Sequence, residues 1–362
     1  MAHTFSADYG TVKKYPSGSK EKSLVKIIMG KTLYIFSSAT LMRKDNTLLM
    51  QVKGQNVQYL PVASVEEIFV MGDVELNKGL LELLTENGIV IHFFDYYGTY
   101  TGTYYPPESK NSGQIFLIQA AHCLSEHKRH ELAAAFVTGA IGNMIRLVNY
   151  YQRRYEKIHA QDITEYLKFC MAQAPNTLDI NSLMGIEGTA RSKYYEFFDR
   201  LISDEDFKII KRVRRPPNNK MNALISFINS ICYAETLTQI YHTHLDPRIS
   251  FLHSPSDRRI SLNLDISEIF KPILVDRLIF SLVNRRMIKA SDFKPGRDGG
   301  IYASRDARKV IAEAWEKSLR NTITYPATEQ RMGWRRVIRS EAFKVQKYIV
   351  EGVPYEPFVL NW

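Results

Sequence analysis

The sequence predicts an α+β protein, in which a small N-terminal β-sheet domain is followed by a larger all-α catalytic domain. Three observations lead there. Short β-branched and aromatic runs fill the first hundred residues, a proline-bearing break follows, and apolar residues then recur at three- and four-residue steps.

Residues 1–28 (MAHTFSADYGTVKKYPSGSKEKSLVKII) hold Pro-Ser-Gly-Ser and five lysines without periodicity. They read as a flexible extension, or as an added leader ahead of a natural start at Met29. From 29 to 105 the texture is β. KTLYIFS, TLLMQVKG, NVQYLPV, EEIFVMG and GIVIHFFD are strand-length runs separated by Asp-Asn, Gly and Pro. KGLLELLTENG spaces its leucines for a helix and stops at Gly88. Residues 106–113 include Pro107 and end on Gly113, a linker.

Residues 114–351 read as helices. The periodic runs begin at IFLIQAAHCLSEHKRHELAAAFVTGAIGNMIRLVNYYQRR and continue through SLMGIEGTARSKYYEFFDRLI, MNALISFINSICYAETLTQIYHTHL and DISEIFKPILVDRLIFSLVNRRMI. DARKVIAEAWEKSL and GWRRVIRSEAFKVQKYIVEG complete them. Residues 352–362 form a C-terminal tail.

A chain of 362 residues that is 45% hydrophobic can bury a sizeable core. Its net charge of +10 favours an anionic partner, nucleic acid ahead of an acidic membrane surface. No run reads as long and apolar enough to span a bilayer. Cys123, Cys170 and Cys232 are scattered and odd in number, which argues against a disulfide framework or a zinc site and for a reducing cytoplasm.

Against this basic background one acidic nest stands out. In FLHSPSDRRISLNLDISEIFKP, His253 precedes a polar turn, and Asp265 and Glu268 sit three apart at the start of a helix, on one face. First-turn acids also suit the helix dipole, so capping alone would account for the pair. A single histidine is more often structural than a ligand. In GIEGTARSKYYEFF, Glu187 lies between Gly185 and Gly188, and each glycine costs about 1 kcal/mol in a helix interior. Either a ligand or another helix approaches the backbone there. Taken together, carboxylates plus an imidazole make a donor set for Mg²⁺ or Mn²⁺ with room for phosphate. Two basic runs supply a polyanion surface. KIIKRVRRPPNNK, with Arg214 and Arg215, carries six positive charges and no acid. RMGWRRVIRSEAFKVQK, with Arg335, Arg336 and Arg339, carries six against one. A solvated helix face is the plainer account of either run alone.

Three blocks carry a family resemblance: GIEGTARSKYYEFF, RRPPNNKMNALISFINSICYAE and LDPRISFLHSPSDRRISLNLDISEIFKPILVDR. In order and spacing they resemble the first Cas protein, the metal-dependent integrase subunit of CRISPR spacer acquisition, over roughly residues 29–350. The resemblance implies a β domain joined to a helical catalytic domain in a homodimer, working with a small second Cas protein in a bacterial or archaeal cytoplasm. It implies attack of a DNA 3′-hydroxyl on a phosphodiester, and nuclease action on double-stranded and branched DNA. It places the metal on Glu187, His253 and Glu268, with Asp265 as a nearby accessory carboxylate. The base is either a metal-bound hydroxide or Asp265, and the sequence does not choose between them. The family commonly has Asp where Glu268 stands. Two other readings of the residues are a non-catalytic DNA-binding structural subunit and an RNA-processing nuclease.

Overall fold

The computed structural model describes residues 26–29 (backbone only), 32–52, 54–107, 113–155, 157–253, 260–326 and 328–361. Residues 1–25 of the expected extension and 108–112 of the expected linker lie outside the described residues.

The N-terminal region is built from β1 (Lys26–Met29), β2 (Thr32–Ile35), β3 (Ala39–Lys44), β4 (Thr47–Val52), β5 (Gln58–Pro61), β6 (Glu67–Val70), β7 (Val74–Leu76), α1 (Lys78–Glu86), β8 (Val90–Phe94) and β9 (Tyr100–Tyr104). β1 pairs antiparallel with β2, Lys26 opposite Ile35, so sheet structure begins inside the segment expected to be an extension. The strands form two sheets, ordered β1-β2-β6-β8-β9 and β5-β4-β3-β7. In the first, β2, β6 and β8 run parallel and the edge strands antiparallel.

The two faces of this central sheet do different work, because successive strand residues point to opposite sides. Leu33, Ile35, Ile68, Val70 and Ile91 pack against Leu41, Leu48 and Met50 of the second sheet and Leu80, Leu83 and Leu84 of α1. Tyr34, Phe36, Phe69, Met71 and Phe94 face the helices. A sheet buried on both faces favours near-continuous apolar runs; β2 and β6 are buried throughout, and their polar residues Thr32 and Glu67 hydrogen-bond to each other (2.8 Å).

The helical region comprises α2 (Gly113–Leu124), α3 (Glu126–Arg154), α4 (Gln161–Gln173), α5 (Ile180–Leu201), α6 (Lys220–Tyr241), α7 (Leu262–Phe270), α8 (Arg277–Asn284), α9 (Arg305–Arg320) and α10 (Trp334–Glu351). Two short hairpins interrupt it, Phe293–Pro295 with Ile301–Ala303 and Thr322–Thr324 with Arg331–Gly333. The region is therefore mainly helical rather than all-α. α3 and α6 are its core, and α6 is buried nearly all round. By length and composition α3 could cross a membrane, contrary to the sequence reading, but 72% of its apolar window is buried inside the fold.

α7 and α8 are one helix widened between Lys271 and Asp276 into a π-helical turn. Pro272 in that turn has no N–H to give to the ladder, which favours a local change of hydrogen-bond pattern. The tail after α10 is not loose. Asn143 of α3 donates to the carbonyl of Phe358 (2.8 Å) and accepts from Leu360 N (2.9 Å), and both side chains are buried.

Candidate metal centre and nucleic-acid cleft

Glu187 is set by α5, whose first turn is capped by Asp179 accepting from Ser182 N (2.7 Å). Its Oε1 accepts from Arg191 Nε one turn on (3.2 Å). The glycines beside it, Gly185 and Gly188, face open space among the described residues, so no described helix packs on them.

His253 sits on a loop clamped from three sides. Gln119 of α2 donates to the carbonyls of Asp246 (3.0 Å) and Ile249 (2.9 Å) and accepts from Asp246 N (2.8 Å). Arg129 of α3 donates to Phe251 O (2.8 Å). The third clamp is Asp265, fully buried on α7. Its Oδ2 accepts from Phe251 N (2.7 Å) and Leu252 N (3.0 Å), and its Oδ1 from His253 N (3.0 Å) and His253 Nδ1 (2.7 Å).

Asp265 is therefore saturated and turned away from the cleft. It is not among the residues lining the cleft, whereas His253 and Glu268 are. An ionised carboxylate only accepts, so His253 carries its proton on Nδ1, leaving Nε2 as the acceptor. Burial pulls His253 toward its neutral form. The hydrogen bond and charge of Asp265, with the charge of Glu268, outweigh this and raise its pKa above the ordinary imidazole value.

Glu268, one turn along α7 from Asp265, is also buried, with Oε1 paired to Lys271 and Oε2 to Arg191. Burial opposes its charge, yet Lys271, Arg191 and His253 hold its carboxyl well below the usual carboxylate range. Lys271 lies over the ring of Tyr233, 4.8 Å from its centroid. Asn263 fastens α7 to α6 through Tyr233 O (3.0 Å).

Glu187, His253 and Glu268 open onto one cleft of about 860 Å³, together with Arg191, Lys271, Arg212, Arg214 and Arg215. The sequence reading missed Arg191, Lys271 and Arg212. All three were in view in quoted runs, Arg191 four residues after Glu187 and Lys271 three after Glu268.

Two carboxylates and a free imidazole nitrogen suit a hard divalent ion by donor chemistry. Their ligand atoms are not gathered, however. Among the described residues, the trio whose ligand atoms lie within 4.8 Å of one another is Glu67, Glu235 and Glu316, a buried cluster that could hold a metal. That cluster already holds a cation: Arg335 reaches Glu67 (3.1 Å), Glu235 (3.0 Å) and Glu316 (2.5 Å). Burial pushes the carboxyls of Glu67 and Glu316 upward.

Arg335 is thus committed to a cross-link between the β region and the helices rather than presented to the cleft. Arg339 is half-buried and donates to Gln239 of α6 (2.9 Å). Residues 335 and 339 share the α10 face that packs on α6. Arg336, off that face, is exposed.

The fold and this cleft define a two-region α+β protein with acidic and imidazole donors beneath an arginine-lined wall. Residues 33–317 match the model of the family described as CRISPR associated protein Cas1. The CRISPR-associated endonuclease Cas1 2 of Thermodesulfovibrio yellowstonii is 43% identical over 92% of this chain and 100% of its own length. The Cas1 protein TM1797 of Thermotoga maritima superposes with a TM-score of 0.80 at 39% identity, covering 91% of this chain and all of that one. The chain belongs to the Cas1 family of CRISPR-associated endonucleases. A casposase bound to integration product has the same fold, with a TM-score of 0.79 at 19% identity over 91% of this chain and 93% of the other. Cas1 homologues have also been solved with DNA and within a Cas6-RT-Cas1–Cas2 complex.

Proposed function

We propose that this chain is a metal-dependent DNA endonuclease and integrase of CRISPR adaptation, inserting spacer DNA by transesterification. In that reaction a 3′-hydroxyl oxygen forms a new ester bond to phosphorus while the existing bridging oxygen leaves as a hydroxyl, so the number of phosphodiesters is conserved. The observation that carries the reading is the convergence of Glu187, His253 and Glu268 from three separate segments on one arginine-lined cleft.

Glu187, Glu268 and the Nε2 of His253 would hold the ion, Mg²⁺ or Mn²⁺. Such an ion supplies Lewis-acid stabilisation of charge on the phosphate. The chain's own groups do the rest. Asp265 fixes the tautomer and rotation of His253. Arg191 and Lys271 keep Glu268 ionised while buried. Arg212 is itself oriented by Asn222 (3.1 Å) and Ser226 (3.1 Å), and with Arg214 and Arg215 it presents donors to a phosphodiester.

The partners that fit are double-stranded and branched DNA, a second copy of this chain and a small second Cas protein, in a bacterial or archaeal cytoplasm. Homologues solved with DNA and with a Cas2 protein support the DNA and second-Cas-protein assignments.

The test is strand transfer by the purified protein on a branched DNA, with Mn²⁺, with Mg²⁺ and with a chelator. Joined product that requires the metal supports the reading. DNA binding without any metal-dependent product would leave the structural-subunit reading standing.

A further inference from the structure

α3 is a core helix that surfaces at its C-terminal end. From Gly139 to Val148 every residue is buried except Arg146, which is exposed, and beyond it Arg153 and Arg154 are exposed as well. These arginines, with Asn149 and Tyr150, line a groove of about 240 Å³ that shares no residue with the catalytic cleft. At 100° per residue the five positions fall within an arc of roughly 140°, and Arg146 and Arg153 are about 10 Å apart along the axis.

The groove is dominated by donors. Asn149 Oδ1 accepts from Thr164 of α4 (3.4 Å), which leaves its amide N–H groups for the groove. Tyr150 lies under the Arg277 guanidinium, 5.5 Å from the ring centroid, and its hydroxyl accepts from Arg154 (3.3 Å).

The carboxylates on adjacent α4 do not neutralise the groove. Asp162 is held by Arg200 (2.6 Å) and Lys193 (3.4 Å), and Glu165 accepts from Gln161 (2.9 Å). Among the described residues none of the three groove arginines forms an ion pair with a carboxylate. A solvated helix face would be convex and would mix donors with acceptors. This surface is concave and lined by donors.

We infer that the α3 groove is a second contact for the phosphodiester backbone of DNA, apart from the cleft that does the chemistry. The inference rests on the proposed function for its choice of DNA as the polyanion. Arg146 and Arg153 are spaced to engage neighbouring phosphates, and the planar guanidinium suits bidentate contact with them.

The experiment is binding of a duplex of about 30 base pairs by fluorescence anisotropy across a salt series. It compares the parent, Arg146→Ala/Arg153→Ala/Arg154→Ala, and a charge-matched control, Lys168→Ala/Lys317→Ala/Lys347→Ala, whose three lysines are exposed elsewhere. The groove variant is expected to lose about two to three units of salt slope and about tenfold or more in affinity at 0.1 M salt, with the control within about twofold of the parent. Metal-dependent cleavage at saturating DNA should be unchanged, because the cleft is intact. A groove variant that binds like the control overturns the inference and leaves the proposed function standing. A parent chain that binds no DNA overturns both.

Discussion

Asp265 grips His253 twice, through the backbone N–H at 3.0 Å and the ring Nδ1 at 2.7 Å. One buried carboxylate thus fixes both the loop that carries the histidine and the tautomer it presents. Asp265→Asn should break this arrangement, because its amide N–H groups would face other donors. Metal affinity is expected to fall about 10–100-fold. Orphaned donors should cost about 1–3 kcal/mol of stability. Isothermal titration with Mn²⁺ and thermal unfolding measure the two effects, and a variant with parental metal affinity would free His253 from this dependence.

The same contact sets a pH dependence. Asp265 and Glu268 favour protonated His253, so without metal the ring holds its second proton to a higher pH than an ordinary imidazole. An imidazolium cannot ligate, so metal must displace that proton. Mn²⁺ affinity should begin to fall above pH 6.5 on acidification and drop further below it. Affinity that stays level down to pH 5.5 would remove His253 from the ligand set.

Asp276 closes the π-helical turn and accepts from Tyr194 Oη (3.1 Å). Burial, only partly countered by the charge of Arg191, pushes its carboxyl up to about 7. The folded chain therefore keeps a proton that the unfolded chain loses near pH 4. Stability attributable to this group falls as pH rises between those values and is level above about 7. Asp276→Asn should flatten that slope and gain on the order of 1–4 kcal/mol at pH 8. Urea unfolding at pH 5 and pH 8 would show it, and an equal effect at both pH values would contradict it.

Arginines from the two basic runs should behave differently. Arg335→Ala leaves Glu67, Glu235 and Glu316 without their cation and should cost about 3–5 kcal/mol of stability. Arg214→Ala/Arg215→Ala should leave stability within about 0.5 kcal/mol and lower the salt slope of DNA binding by about one unit per lost contact. Melting curves beside a salt series separate the two cases. Weakened DNA binding by a fully stable Arg335→Ala protein would restore the reading of Arg335 as a nucleic-acid contact.

Glu187, His253 and Glu268 could be picked out as candidates because they lie in compact motifs whose residue types are unusual in a basic chain, and the fold brings all three to one cleft. The inward direction of Arg335 was not legible because a charge run reveals composition, not direction. Which side of α10 meets α6 depends on packing between residues a hundred positions apart, as in Arg335 with Glu235 (3.1 Å). Asp265 and Glu268 looked alike for a similar reason. Only the fold of the 246–253 loop over α7 turns one carboxylate inward and leaves the other on the cleft.

Strands were found where burial on both faces gave continuous apolar runs, as in β2 and β8. β9 was missed because YTGTY carries a glycine and alternates weakly. α4 was missed as well, because exposed Tyr166 and Phe169 blur its apolar stripe. The tail, GVPYEPFVLNW, has no helical or strand period, and its docking depends on the distant Asn143 and Glu341.

Replacing Glu187 tests the account most directly. Glu187→Ala removes one oxygen donor, leaves Arg191 paired with Glu268, and touches none of Arg212, Arg214 or Arg215. Strand transfer and DNA cleavage should fall by orders of magnitude, with DNA affinity within a few-fold of the parent and stability within about 0.5 kcal/mol. A Glu187→Ala protein that is well folded, binds DNA and joins strands at the parental rate would contradict the three-ligand site.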